Sequence, residues 1–280
     1  MSNPHKSFLN RCAFLLVFFC LFLLASAGSL HAQVDSPNST VPPPSVTLYL
    51  PVVFGKPLPA CPPASERSYA LIPVDGPPAD HPDALHGDIN LALRGYTRVS
   101  ATLALIHING PTDKDAPQLA GIFADGRTPA FTSAHRVYGW DWACGEDGCP
   151  SPDLTPVEVS LLGLAVNVTE TLSFPSREAE IYGGGFQVLV LYAAENRISL
   201  GYTRHDSVAP GYAIHLESLC VDPNLLALYR QANAEGRGNL PALRNGDVLG
   251  TAWSGDVLVA VRDRGDFMEP RSRKDWWKGR

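Results

Sequence analysis

Strand-length apolar runs closed by glycine or proline do most to limit what this sequence can fold into. The 280 residues hold 25 Pro and 24 Gly, a density that favours turns and short strands over long helices. The runs fall at 90–94, 101–108, 131–142 and 157–168, and again at 187–193, 196–202, 211–216, 245–250 and 256–262. Alternation or continuous apolarity at that length predicts strands buried on one or both faces. A single stretch breaks the pattern. Asp222 can cap a helix, and Pro223 suits its first position. Leu225, Leu226, Leu228, Tyr229 and Ala232 then fall on or near one face, and Gly236 can end the helix in the left-handed conformation. The expectation is a mostly β fold of packed antiparallel sheets, with one substantial helix near 223–235.

The N-terminus gives the address. His5, Lys6 and Arg11 precede an apolar stretch from Cys12 to Leu24, and small-residue cleavage sites follow at Ala25-Ser-Ala27 and Leu30-His-Ala32. Residues 1–32 therefore read as a secretory signal, with retention as an anchor the alternative. The apolar stretch is short for a membrane span, so no transmembrane helix is expected in the mature chain. Residues 33–66 form a Pro-rich linker stiffened by Val41-Pro-Pro-Pro44 and Cys61-Pro-Pro63. Two β-rich halves follow, 67–170 and 171–280. The second carries the helix and a basic, Trp-rich tail, and one continuous domain is the alternative.

Cysteine use agrees with export. Cys12 and Cys20 leave with the signal, and an even set remains: Cys61, Cys144, Cys149 and Cys220. In an exported chain this favours disulfides. Cys144-Gly-Glu-Asp-Gly-Cys149 can close a local bridge, which leaves Cys61 for Cys220. A zinc site is the alternative, but no Cys-x-x-Cys or close Cys/His pair supports it. With 22 Lys+Arg against 28 Asp+Glu, the chain lacks the basic excess that phosphate backbones demand, so nucleic acid is not an expected partner.

Two clusters stand out chemically. His81-Pro-Asp-Ala-Leu-His86-Gly-Asp88 is the densest group of ligand-type side chains, and His81, His86 and Asp88 can seed a metal site. Such a site needs a further ligand, for which His107, His135, His205 and His215 are candidates. The plainer reading is a turn whose side chains cap backbone groups. On the aromatic stretch 131–142, Tyr138, Trp140 and Trp142 alternate onto one face of a strand. They read either as core or as a stacking platform for sugar rings or peptide. In the tail, Trp276 and Trp277 either touch an anionic wall polymer or membrane surface together with the neighbouring bases, or fold back over the sheet. His205-Asp206 followed by Ser207 offers triad residue types, yet no Gly-x-Ser-x-Gly elbow is present. No phosphate loop, dinucleotide fingerprint or His-Glu-x-x-His helix occurs.

The final third resembles the β-domain of the M23 (LytM-like) zinc metallopeptidases, enzymes that cut peptidoglycan cross-bridges. The resemblance lies in the paired strands at 187–202, in Leu240-Pro-Ala-Leu-Arg-Asn-Gly-Asp-Val-Leu-Gly250, in Gly255-Asp-Val-Leu-Val-Ala-Val-Arg262 and in Arg264-Gly-Asp-Phe-Met-Glu-Pro270. It implies a β-domain with a zinc centre. However, the His-x-His of that family's last strand would fall between Asp256 and Val261, where there is no histidine. Its first His and Asp are four apart, whereas His86 and Asp88 are two apart. The resemblance therefore implies a degenerate, non-catalytic relative. Stretches such as Ala92-Leu-Arg-Gly-Tyr96 and Pro270-Arg-Ser-Arg-Lys-Asp-Trp-Trp277 also resemble secreted bacterial proteins, which implies export and no particular activity.

The functional expectation is a secreted or cell-surface envelope module. It would bind wall glycan, wall peptide or a surface protein, without catalysis and with no cofactor. The alternative is a zinc-dependent hydrolase of the peptidoglycan-peptidase kind built on His81, His86 and Asp88. A third reading is a scaffolding domain that docks through its Pro-rich linker.

Overall fold

The computed structural model describes residues 59–280; the expected signal, and the linker up to residue 58, lie outside them. The strands are β1 (Ala70–Pro73), β2 (Tyr96–Arg98), β3 (Phe131–Asp141), β4 (Cys149–Leu154), β5 (Leu161–Ala165), β6 (Thr171–Ser173), β7 (Phe186–Ala194), β8 (Arg197–Gly201), β9 (Tyr212–Glu217), β10 (Leu219–Val221), β11 (Asn239–Arg244), β12 (Val248–Ala252), β13 (Asp256–Asp263) and β14 (Asp266–Phe267). The helices are α1 (Pro223–Ala234) and the single turn α2 (Arg273–Trp276). The large sheet runs β1-β11-β7-β8-β9-β13-β5-β3-β2, with β14 added to β13 and β4 to β3; β10-β12-β6 form a smaller sheet. All these pairings are antiparallel. The mostly β fold with one substantial helix is thus the observed one.

Register explains the two faces of the large sheet. One row, Ala134–Leu162–Val259–Leu216–Ile198, is buried throughout and belongs to the main core. The adjacent positions on β9 and β13 point to the other face, because side chains alternate along a strand. There Leu258, Ala260, Val137 and Leu161 form a smaller core with Leu91 and Phe267. Helix α1 packs on β11 and β7. Asp222 caps it, accepting from Asn224 N at 3.0 Å and Leu225 N at 3.4 Å, and Gly236 beyond its end has φ +90°.

Two expected strands are absent. Residues 90–94 form a 3-10 turn, Leu91–Leu93, whose backbone bonds run three residues back (Arg94 N to Leu91 O, 3.1 Å). The turn carries Arg94 inward to Asp88. Residues 101–108 form no strand either. The backbone of Ile106 bonds instead to the C-terminal segment, donating to Arg271 O and accepting from Arg273 N, each at 3.0 Å. Tertiary pairing with a distant segment overrides the local alternation.

Both disulfides pair as expected, Cys61 with Cys220 and Cys144 with Cys149. The first ties the end of the linker to the smaller sheet, where Cys220 faces Thr251. Gly250 beside it has φ +156°, and a Cβ there would stand 1.9 Å from Cys220 O, so only glycine fits. No helix among the described residues is long and apolar enough to cross a membrane.

Candidate functional site

The fold brings together the two stretches that the sequence marks separately, the His81–Asp88 segment and the aromatic end of β3. Each is held from outside. Asp83 accepts from Tyr229 Oη at 2.6 Å and from Asn233 Nδ2 at 3.2 Å, which pins the segment to α1. Asp88 is gripped by two guanidinium groups, Arg94 at 2.5 Å and Arg262 at 2.9 Å. Burial alone would raise the Asp88 carboxyl, but the charges and hydrogen bonds of Arg262 and Arg94 outweigh it and hold it below its ordinary value. On the other side, β3 turns into β4 through the loop closed by Cys144–Cys149, where Trp140 pairs with Pro150 and Asp141 with Cys149. The two stretches meet at Gly87, where a Cβ would stand 2.3 Å from the Trp140 indole. Glycine is what lets the backbone lie on the ring.

At this junction three rings pack. Trp142 and His81 stack with centroids 4.8 Å apart at 21°, while His86 meets Trp142 edge-on at 5.0 Å and His81 at 5.8 Å. Trp140 abuts Trp142 at 5.9 Å. Carboxylates flank the imidazoles. Asp80 Oδ1 lies 3.8 Å from His81 Nε2 and 3.7 Å from His86 Nε2, and Asp147 Oδ1 lies 3.5 Å from His81 Nδ1. Trp142 is 39% exposed and Leu85, between the histidines in sequence, 45%. The result is an aromatic surface rimmed by hydrogen-bonding groups and held by a disulfide loop and two arginines.

The expected metal trio does not converge. The Asp88 carboxylate faces the arginines, and its backbone N–H donates to His86 Nδ1 at 3.3 Å. An Nδ1 that accepts leaves the neutral ring's proton on Nε2, the atom that faces Asp80, so that atom is a donor and not a free lone pair. Burial also lowers the His86 pKa, against the opposing pull of Asp88 and Asp80. Among the described residues no group of three or more His, Cys, Asp or Glu is arranged to hold a metal.

The remaining sequence candidates sit elsewhere. Trp276 and Trp277 are 2% and 0% exposed, so they are core residues and not a binding surface. Their indole N–H groups donate to Glu269 O and Pro270 O. Tyr138 is half-buried and is not among the rings that pack at this junction. Asp206, next to His205, is locked to Arg237 at 2.7 Å. A pair not marked in the sequence does form, Ser199 with His215 at 2.7 Å, but both are buried and Ser199 Oγ already donates to Ile89 O at 2.5 Å. His215 therefore donates to Ser199 and cannot act as its base. Asp80, Leu85 and Asp147 are the site residues that sequence patterns missed; their adjacency to His81 and to the Cys144–Cys149 loop was the available signal.

Comparison with family models, with curated proteins and with solved structures gives no match.

Proposed function

We propose that this chain is an exported binding module of the cell envelope, without catalysis, which takes a wall glycan or wall peptide on the Trp142–His81–His86 surface. The observation behind this reading is the exposed Trp142 ring, stacked on His81 and edged by His86, with Asp80 and Asp147 beside those histidines. A rigid aromatic face with polar groups at its edge suits sugar rings and peptide planes, since it offers area at little entropic cost and directional bonds at the rim. The export expectation and the two disulfides suit an oxidising compartment. A zinc hydrolase is the weaker reading. It would need His86 to give up the Asp88 amide and Asp88 to leave two arginines.

The test is co-sedimentation of the mature chain with purified wall polymer. Binding is expected, and Trp142→Ala is expected to weaken it by about 2 kcal/mol or more, as for a central aromatic anchor. Protein that stays wholly in the supernatant, or a variant that binds like the parent, would remove this reading.

A further inference from the structure

The four buried arginines among the described residues each find a carboxylate: Arg94 and Arg262 use Asp88, Arg237 uses Asp206 and Arg271 uses Glu269. Arg177 is half-buried. It makes no ion pair with a described residue, and its Nε is buried without a partner among them. Its guanidinium lies 5.8 Å from the Tyr202 ring centroid. Its backbone N–H donates to Gln187 Oε1 at 3.2 Å, which leaves Gln187, 9% exposed, with an amide NH2 that donates to no described residue. Both residues line a cavity of about 720 Å³, and Arg177 also lines a second of about 480 Å³. The Tyr202 hydroxyl donates to Pro175 O and fixes the segment that carries Arg177.

The rest of the larger cavity wall has both signs of charge. Lys114, Asp115 and Glu178 line it, and none is ion-paired with a described residue. A planar guanidinium and an amide donor that line one cavity match a carboxylate, which accepts more than one N–H bond. Free carboxylates on the same wall match an ammonium. The volume is in the range of small-molecule sites. We propose that this cavity binds a short zwitterionic peptide, with its carboxylate bridged by Arg177 and Gln187 and its ammonium facing Glu178 and Asp115. The site shares no residue with the Trp142 surface, so the two readings stand or fall separately.

The probes are alanyl-alanine, its C-terminal amide, its N-acetyl form and inorganic phosphate, each titrated calorimetrically into the mature chain. The free dipeptide is expected to bind, and the amide to bind at least about tenfold more weakly, because it loses a charge-assisted bond. The acetyl form should also weaken. Arg177→Lys, which keeps the charge and loses the fork, should weaken the dipeptide about tenfold while the near-ultraviolet circular dichroism stays unchanged. The comparison of acid with amide needs no variant, so a failure of Arg177→Lys to fold leaves the test intact. Equal binding of acid and amide, no heat from the dipeptide, or phosphate binding in its place would each overturn the proposal.

Discussion

Glu217 shows how a single buried group sets a pH dependence. Register places it on β9 between Arg197 and Leu258, on the face away from the main core. Arg197 Nε lies 3.2 Å from Glu217 Oε2, but burial wins over that charge and pushes the carboxyl up to about 7 from an ordinary 4.5. Between those values the folded state keeps a proton that the unfolded chain releases, so stability falls as pH rises through the window and levels off above it. Urea unfolding from pH 4 to pH 8 should show this fall, and Glu217→Gln should flatten it; an unchanged slope in the variant would refute the assignment. Gly87→Ala is expected to cost about 1–3 kcal/mol by forcing the Trp140 ring aside, read by denaturant midpoint and tryptophan emission. Individual residues were partly legible. His81, His86 and Trp142 stood out by type and spacing. Asp88 did not declare its role, because Arg262, which holds it, comes 174 residues later in the chain.

Helix α1 was the most legible element, since its signals are local: a cap, a proline at the first turn, an apolar face and a terminal glycine. Asp222 does more than cap. Its second oxygen accepts from Ser65 Oγ at 2.6 Å and Arg67 Nη1 at 3.1 Å, which joins the end of the linker to the helix start. Asp222→Ala should therefore cost about 2 kcal/mol, the upper end for an N-cap, and Asp222→Asn, which keeps the cap, clearly less; equal losses would show that the cap is not what matters. Strands such as β10 and β11 fall outside the expected runs, and 101–108 does not form the strand that its apolar run predicts. All three are settled by partners. β11 is held between β1 and β7, and β10 pairs with β12. Short apolar stretches do not reveal whether such partners exist.

The two halves of the chain are joined through β13, which lies between β9 of the second half and β5 of the first. A strand near the C-terminus thus completes a sheet begun before residue 100, and the tail seals it. Arg271 is 1% exposed and binds Glu269, Glu158 and Thr102 O, while Trp277 packs 5.7 Å from Phe131. Trp277→Ala should cost about 3–5 kcal/mol, as for a large core side chain, whereas a surface tryptophan would cost little; the thermal midpoint decides. Replacing Cys61 and Cys220 together by Ala should cost about 2–5 kcal/mol, read by denaturant unfolding, with no change expected in an unrelated buried contact such as Tyr229–Asp83.

By itself the sequence determined the local quantities: strand-length patterning, one capped helix, an even cysteine set that closes as two disulfides, and the residue types of the candidate surface. Their physical causes act within a few residues, through side-chain alternation, backbone capping and turn chemistry. Only the tertiary structure decided that Trp276 and Trp277 belong to the core, that Asp88 pairs with two arginines, and that the His81 segment meets Trp142. Those outcomes depend on which distant groups compete for the same burial and the same hydrogen bonds, and that competition is resolved only when the strands pair.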